Sequence, residues 1–455
     1  MTTEAAPAAL ALPEEILSWI TEVAGPVVAA HRIPGGGIRQ GWFVDVAAGD
    51  RVRELFLRFS PEPESSAFHT LAVEAEVVDA IGRAGAVVPA VHAVHPVREA
   101  VLQDRVCGDT WFSRIADPQE QVAVAQDFIR SLAFIHRLDP ADLKIAALGP
   151  IRSARELALE RIAAIRERAT RADGSMDGLI RLSCDWLERN VPDYDGPVVL
   201  VQGDTGPGNF LYRDSQVSAV LDWELSHWGD PMDDIAWLSL RTVQDTFTHL
   251  PDRLAEYSAL SGHAVDVDRV WYYRVFAETT MATMRPDGQG EPGTFDAGSR
   301  ILYNQLHRRL WLEALDQVVG LGLPRPERPA APAPQPWHIQ YDNALEMLRT
   351  ITPRIEDPLA TQWTKGVARV LRYLRETDVV GVEYSAAELT ELAAALGSRP
   401  ASVDEGRAAL DAALAAGDVE AGEFLRLVWN RVMREDDLMR PASGVLGRRT
   451  WPPLT

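Results

Sequence analysis

The sequence predicts an α+β chain: a small β-rich lobe, a larger helical lobe and an extra helical domain beyond a proline-rich linker. Three observations predict it. Period-two apolar runs flank a Gly-Asp pair near the N-terminus. Helix-period stretches dominate from about residue 118 onward. Six prolines crowd residues 324–336. At roughly 100–200 residues per domain, 455 residues suggest two to four domains.

Residues 13–31 read as one or two short helical segments, with Glu14 and Glu15 at the positive end of the dipole. After Gly35, Gly36 and Gly37, the alternating runs 42–46 and 53–59 enclose Gly49-Asp50 and read as a hairpin. Leu71, Val73, Val77, Val78 and Ile81 give residues 69–83 a helical spacing. Residues 87–92 and 99–106 read as strands. Beyond Gly108, residues 118–137, 153–171 and 176–190 read as helices. Two β-rich runs, 197–204 and 217–224, read as a hairpin embedded among them. Helices resume at 231–242, 251–260, 266–284 and 295–319. The proline run reads as an extended, semi-rigid linker, and 338–455 as Ala-rich helices. The domain reading is an N-lobe at 1–105, a C-lobe at 106–323, a linker at 324–337 and a helical appendix at 338–455.

Composition narrows the function. A net charge of −21 argues against nucleic acid as a partner, because phosphate backbones need a basic footprint. Two cysteines, Cys107 and Cys184, exclude a disulfide framework and fit a reducing compartment. No run of about 18 apolar residues occurs, so no membrane span is expected and the chain is read as cytoplasmic. Only two of the 45 basic residues are lysines, Lys144 and Lys365, and neither lies in the first lobe. The histidines show no metal-ligand spacing; His92 and His95 receive no role, and His136 reads as packing or capping.

The chemistry concentrates in one run. Asp204 follows a strand into a loop rich in Gly and Pro, which keeps its carboxylate accessible. Asn209 lies five residues on, and Asp222 ends the next apolar run. An amide oxygen with a carboxylate, leaving room for waters and phosphates, suits Mg²⁺. Asp204 is then left to orient and deprotonate a hydroxyl, the division of labour phosphoryl transfer requires. Asp230 followed by Pro231 reads as a helix N-cap with proline at the first position.

The run from Gln202-Gly203-Asp204 through Asn209, Asp222-Trp223-Glu224 and Gly229-Asp230-Pro231 to Asp234 resembles the signature of the aminoglycoside phosphotransferase family. The resemblance spans roughly residues 20–320 and is nearest to the hydroxyacyl-CoA-kinase-like branch. It implies a bilobal, protein-kinase-like fold and transfer of phosphate from ATP or GTP, with Mg²⁺, to a hydroxyl of a small molecule. It implies that Asp204 is the catalytic base and that Asn209 and Asp222 ligate Mg²⁺. Arg58 stands where kinases usually have the phosphate-binding lysine, and Glu74 matches its helix partner. Gly35, Gly36 and Gly37 would cover the phosphates. Residues 101–106, with Gln103 and Val106, would form the hinge and meet adenine through backbone groups.

Alternatives stay open on the residues alone. Glu76 competes with Glu74, a solvated strand charge stands as the second reading of Arg58, and Glu224 reads as a water, substrate or ion-pair contact. Gln202 replaces the family histidine, and Ile38 a frequent serine. The acceptor reads as a hydroxyacyl-CoA or hydroxy acid, or else an aminoglycoside-type antibiotic. A second class is a pseudokinase that binds nucleotide without catalysis. The appendix is expected to dock on the catalytic lobes or to pair two copies as a homodimer.

Overall fold

The structure, a computed structural model, describes residues 12–33, 39–61, 68–284, 296–330 and 332–455. It divides into two compact units: Met1–Leu157 with Tyr194–Val267 and Pro452–Thr455, and Ala158–Asp193 with Asp268–Trp451. The fold is α+β as expected, an antiparallel sheet with helices in the first unit and helices alone in the second, with extra C-terminal helices. Among the described residues, no helix is long and apolar enough to cross a membrane.

The first unit opens with helix α1 (Glu14–Ala24). Gly25 takes φ 115° and Pro26 follows, so the helix stops there. The β-branched pair Val27 and Val28 then opens strand β1 (Val27–Arg32), which corrects the helical reading of residues 27–31. Strands β2 (Gln40–Ala48) and β3 (Arg51–Phe59) form the expected hairpin, with Ala48 opposite Arg51 across Gly49-Asp50. Helix α2 (Leu71–Arg83) is N-capped by Thr70, whose hydroxyl accepts from the Val73 amide. Strands β4 (Val91–Val94) and β5 (Ala100–Asp104) complete a sheet ordered β1-β2-β3-β5-β4, antiparallel throughout.

Alternation along β3 decides where Arg58 goes. Leu55, Leu57 and Phe59 are buried in one cluster with Ile16, Trp19 and Ile20 of α1. Each such side chain contributes roughly 1.5–3 kcal/mol by leaving water. Arg58, between Leu57 and Phe59, must therefore face the other side. Its register partner on β5, Val101, packs with Leu71 and Ala75 of α2. Helix α2 thus covers the face on which Arg58 stands. Glu74 shares the α2 stripe of Leu71, Ala75 and Val78.

The chain continues through α3 (Pro118–His136), α4 (Pro140–Leu143), α5 (Ala154–Ala169) and α6 (Gly178–Arg189). Strands β6 (Val199–Val201), β7 (Phe210–Arg213), β8 (Gln216–Val220) and β9 (His227–Gly229) precede helices α7 (Pro231–Gln244) and α8 (Leu250–Ser261). The expected hairpin between 197–204 and 217–224 does not form. Instead β6 pairs with β9, and β8 pairs with β7 across Asp214-Ser215. Both turn residues have positive φ, 51° and 63°, the geometry of a tight hairpin turn. Each run is shorter than read because Gly203 (φ 85°) and Asp222 (φ 63°) leave the extended region.

The second unit is helical: α5 from Ala158, α6, α9 (Val267–Met284), α10 (Ala297–Val319), α11 (His338–Ile351), α12 (Pro358–Leu396), α13 (Val403–Ala416) and α14 (Ala421–Ser443). Helix α12 has 39 residues and is about 58 Å long. Val380 and Tyr384 of α12 are buried with Leu438 of α14, and the Tyr384 hydroxyl donates to Asp437 at 2.9 Å. Among the described residues the proline-rich run is neither helix nor strand, and its first five residues are tied down. Arg325 donates to Asp436 at 2.8 Å, Arg328 to Glu376 at 2.6 Å and to Asp437, and the Trp429 indole to the Pro324 carbonyl at 2.9 Å.

Asp177 caps α6, accepting from the Leu179 amide at 2.9 Å. Burial, with Asp177 close by, pushes the Asp411 carboxyl of α13 up to about 6. A carboxyl whose folded pKa is raised opposes folding when ionised. The penalty is complete above about pH 6 and absent below its unfolded value near 4. Asp411→Asn should therefore stabilise the protein by about 1–2 kcal/mol at pH 8, allowing for solvent screening. Urea unfolding should show that gain shrinking to nothing by about pH 4.

Candidate active site

The loop that carries Asp204 and Asn209 joins β6 to β7, and Asp234 of α7 holds its base. Asp234 is fully buried. It accepts from the backbone amides of Gln202 at 2.9 Å and Gly203 at 3.0 Å, and from the Thr205 hydroxyl. His136 of α3 lies against the same carboxylate, its Nε2 2.9 Å from Oδ2 and its Nδ1 2.7 Å from the Tyr257 hydroxyl. Desolvation raises the Tyr257 phenol, so it stays protonated. Asp230 caps α7 as expected, accepting from the Met232 amide at 2.8 Å.

On this base stand Asp204 and Asn209. The Asn209 amide nitrogen donates to the Asp204 carboxylate at 2.6 Å and to its carbonyl at 2.7 Å, closing the loop on itself. Arg241, two turns beyond Asp234 on the same face of α7, supports the loop from beneath. It donates to the Pro207 carbonyl and to Asn209 Oδ1, both at 3.0 Å, and lies 3.5 Å from the Asp204 carboxylate. Gly208 has φ 94°, a backbone conformation that favours glycine, and the Arg241 guanidinium lies close against it. Asp204 keeps about a fifth of its side chain exposed, whereas Asn209 is buried.

The hairpin register brings Asp222 to this loop. Phe210 pairs with Val220, and the Leu221 amide donates to the Asn209 carbonyl at 2.8 Å. Asp222 follows directly, turned by its left-handed backbone. Gln202, standing in place of the family histidine, donates its side-chain amide to the Leu221 carbonyl at 2.5 Å and so braces both halves.

Across from Asp222 is the arginine on β3. Arg58 donates to Glu74 and, at 3.2 Å, to Asp222 Oδ1. Burial works against this guanidinium, but Glu74 and Asp222 outweigh it and hold its pKa above the ordinary arginine value. Glu74 is the helix partner. Glu76 instead accepts from the Ala146 amide at 2.7 Å, capping a short turn. Glu74 also accepts from the Trp223 amide at 3.1 Å, which ties α2 to the segment bearing Asp222.

Two residues of this cluster carry no sequence expectation as site groups: Arg39 and Arg241. Arg39, buried beside the start of β2, donates to Glu74 at 2.6 Å and lies 3.1 Å from Glu224. Glu224 thus belongs to an ion-pair cluster. Burial raises its carboxyl well above the usual range, Asp222 adds to this, and Arg39 and Arg58 pull the other way. His69 donates its amide to the Glu224 carbonyl at 3.0 Å, and burial lowers its imidazole pKa.

The expected phosphate loop, Gly35, Gly36 and Gly37, lies outside the described residues, as does Ile38. Gln103 is a ladder residue of β5, opposite Phe56 on one side and Val91 on the other. Val106 is half-buried, two residues beyond the strand's end. The structure therefore unites Arg58, Glu74, Asp204, Asn209 and Asp222 in one cluster and leaves Gln103 inside the sheet. The amide oxygen of Asn209 and the carboxylate of Asp222 are hard oxygen donors of the kind Mg²⁺ takes, from adjoining strand ends, each now holding one guanidinium, Arg241 and Arg58 respectively.

The model of the phosphotransferase enzyme family matches residues 29–267. The acyl-CoA dehydrogenase family member 11 of Rattus norvegicus is 33% identical over 126 residues, which are 27% of this chain and 16% of that relative. The chain thus spans under a fifth of the length of the curated relatives it matches. Among solved structures, macrolide 2′-phosphotransferase MphH from Brachybacterium faecium is 17% identical, covering 61% of this chain and all of that one, with a TM-score of 0.44. A thermostable mutant of aminoglycoside phosphotransferase APH(4)-Ia is 16% identical, covering 67% of this chain and 99% of that one, with a TM-score of 0.46.

Proposed function

Because the chain belongs to the phosphotransferase enzyme family, we propose that it moves the terminal phosphoryl group of ATP or GTP onto a hydroxyl of a small molecule, in a reaction that requires Mg²⁺. The observation that carries this reading is the meeting of Asp204 and Asn209 on one strap with Asp222 and the Arg58–Glu74 pair. Asp204 orients the acceptor hydroxyl and takes its proton as the oxygen attacks phosphorus. Asn209 and Asp222 would hold a magnesium ion, which supplies neutralising charge to the nucleotide phosphates. Arg58, fixed by Glu74, neutralises phosphate as the absent lysine would, with a planar fork instead of a point charge. Backbone groups near Val106 meet the base.

For the acceptor we favour a hydroxyacyl-CoA or related hydroxy acid. The branch resemblance and the acyl-CoA dehydrogenase name of the relatives support it.

Transfer of γ-³²P from ATP and from GTP to hydroxyacyl-CoAs, hydroxy acids and aminoglycosides tests the reading. Label should move to one acceptor class in the presence of Mg²⁺. Asp222→Ala should lose transfer at limiting Mg²⁺. Undiminished transfer by that variant would refute the metal assignment, and no transfer to any acceptor by the wild type would favour a nucleotide-binding protein without catalysis.

A further inference from the structure

The helical unit carries a cavity of about 410 Å³ lined by Arg309, Arg325, Arg440, Gly447, Arg448 and Thr450. Four of the six lining residues are arginine and none is a carboxylate, in a chain whose net charge is −21. We propose that this cavity is an anion site that binds the phosphate groups of a nucleotide-like small molecule. It lies wholly within one unit and stands independently of the phosphoryl-transfer reading.

The guanidiniums are held from behind. Arg309, 1% exposed, donates to the backbone carbonyls of Leu446 at 3.2 Å and Arg449 at 2.8 Å, and to Glu313 at 2.9 Å. Asp436 bridges the first two arginines, lying 3.1 Å from Arg309 and 2.8 Å from Arg325. Asp437 lies 3.3 Å from Arg440. Arg448, exposed on the short turn Gly444–Arg448, has no carboxylate partner among the described residues. Three carboxylates thus face four guanidiniums, and burial raises the pKa of one of them, Glu313. The acids fix arginine orientation without entering the cavity. Each guanidinium has five N–H donors, more than these contacts use, and the fork geometry matches phosphate oxygens.

Arg440 in the last turn of α14 has an ordinary role beside the helix dipole. Arg309 from α10 and Arg325 from the proline-rich run converge on Asp436, which leaves the outward-facing arginines Arg440 and Arg448 on the same space with one carboxylate, Asp437, between them. The volume exceeds that of a single phosphate and lies in the range of small-molecule pockets. Paired phosphates, as in a nucleoside diphosphate or the phosphorylated adenosine end of coenzyme A, suit both charge and size.

Calorimetric titration of the full chain with inorganic pyrophosphate, 5′-ADP and 3′,5′-ADP tests the site, comparing wild type with an Arg440→Ala/Arg448→Ala double variant. The double variant spares the buried Arg309, so its melting curve should match the wild type. At least one ligand should bind about tenfold more weakly to it, with a steep salt dependence. An Arg440→Lys/Arg448→Lys pair should recover part of the affinity. Among the ligands whose affinity the double variant loses, preference for 3′,5′-ADP would identify a coenzyme-A-type source and preference for 5′-ADP a nucleotide, whereas binding that the variant keeps belongs to the phosphoryl-transfer site. Equal affinity in wild type and double variant for every ligand that binds, or no binding of any of the three to wild type at low salt, would overturn the proposal.

Discussion

Asp204→Asn abolishes label transfer, lowering kcat by about 10²–10⁴-fold, and leaves nucleotide affinity unchanged. The substitution is nearly isosteric. The new amide oxygen can still accept the Asn209 hydrogen bond now made at 2.6 Å, so the loop keeps its shape. What is lost is the charge and the capacity to take a proton. The variant also loses the charge facing Arg241 at 3.5 Å, which a 2 kcal/mol or smaller change in stability would register. Transfer at the wild-type rate with unaltered binding would remove Asp204 from the chemistry.

Asp234→Ala unfolds the Asp204 loop more than it slows any step. Asp234 is fully buried and serves two backbone amides, a hydroxyl and an imidazole. Removing the acceptor leaves those donors desolvated and unpaired, at a cost of about 3–5 kcal/mol. The melting temperature should fall by roughly 10 °C, and urea unfolding should give the free energy directly. Asp234→Asn, which keeps one oxygen, should recover part of it. A loss below about 1 kcal/mol in the alanine variant would show that the loop is held by other contacts.

The sequence made the loop chemistry legible because its members are close together. Asp204, Asn209 and Asp222 sit at strand ends whose apolar runs are visible, and Asp230-Pro231 carries its capping chemistry on its face. The first lobe was legible through its β2–β3 hairpin and α2; Arg58 came from the resemblance, since alternation on β3 turns it away from Leu57 and Phe59 without saying that α2 covers that face. What was hidden depends on distant partners. Asp214-Ser215 are turn formers but lack the glycine that marks a two-residue hairpin, so β7 was missed and β8 was joined to the wrong strand. Arg39 acts through Glu74 and Glu224, 35 and 185 positions away, and only the absence of lysine in that lobe hints at a second arginine. Arg241 left a clearer trace. It and Asp234 are seven residues apart in a helix otherwise apolar on that side, the spacing of a polar stripe turned inward. His136 read as packing and is that, but its packing is against the carboxylate that holds the Asp204 loop.

The arginine on β3 also sets which reagents can find this pocket. On the proposed reading Arg58 turns its guanidinium to the nucleotide, and the two lysines of the chain, Lys144 and Lys365, both lie outside the first lobe. Nucleotide analogues that report kinases by acylating an amine have no such nucleophile on β3, and a chemoproteomic survey built on them would pass this protein by. Dicarbonyl reagents, which condense with guanidinium groups, would be the matching chemistry, with Glu74 and Asp222 shielding Arg58 until a ligand draws it away.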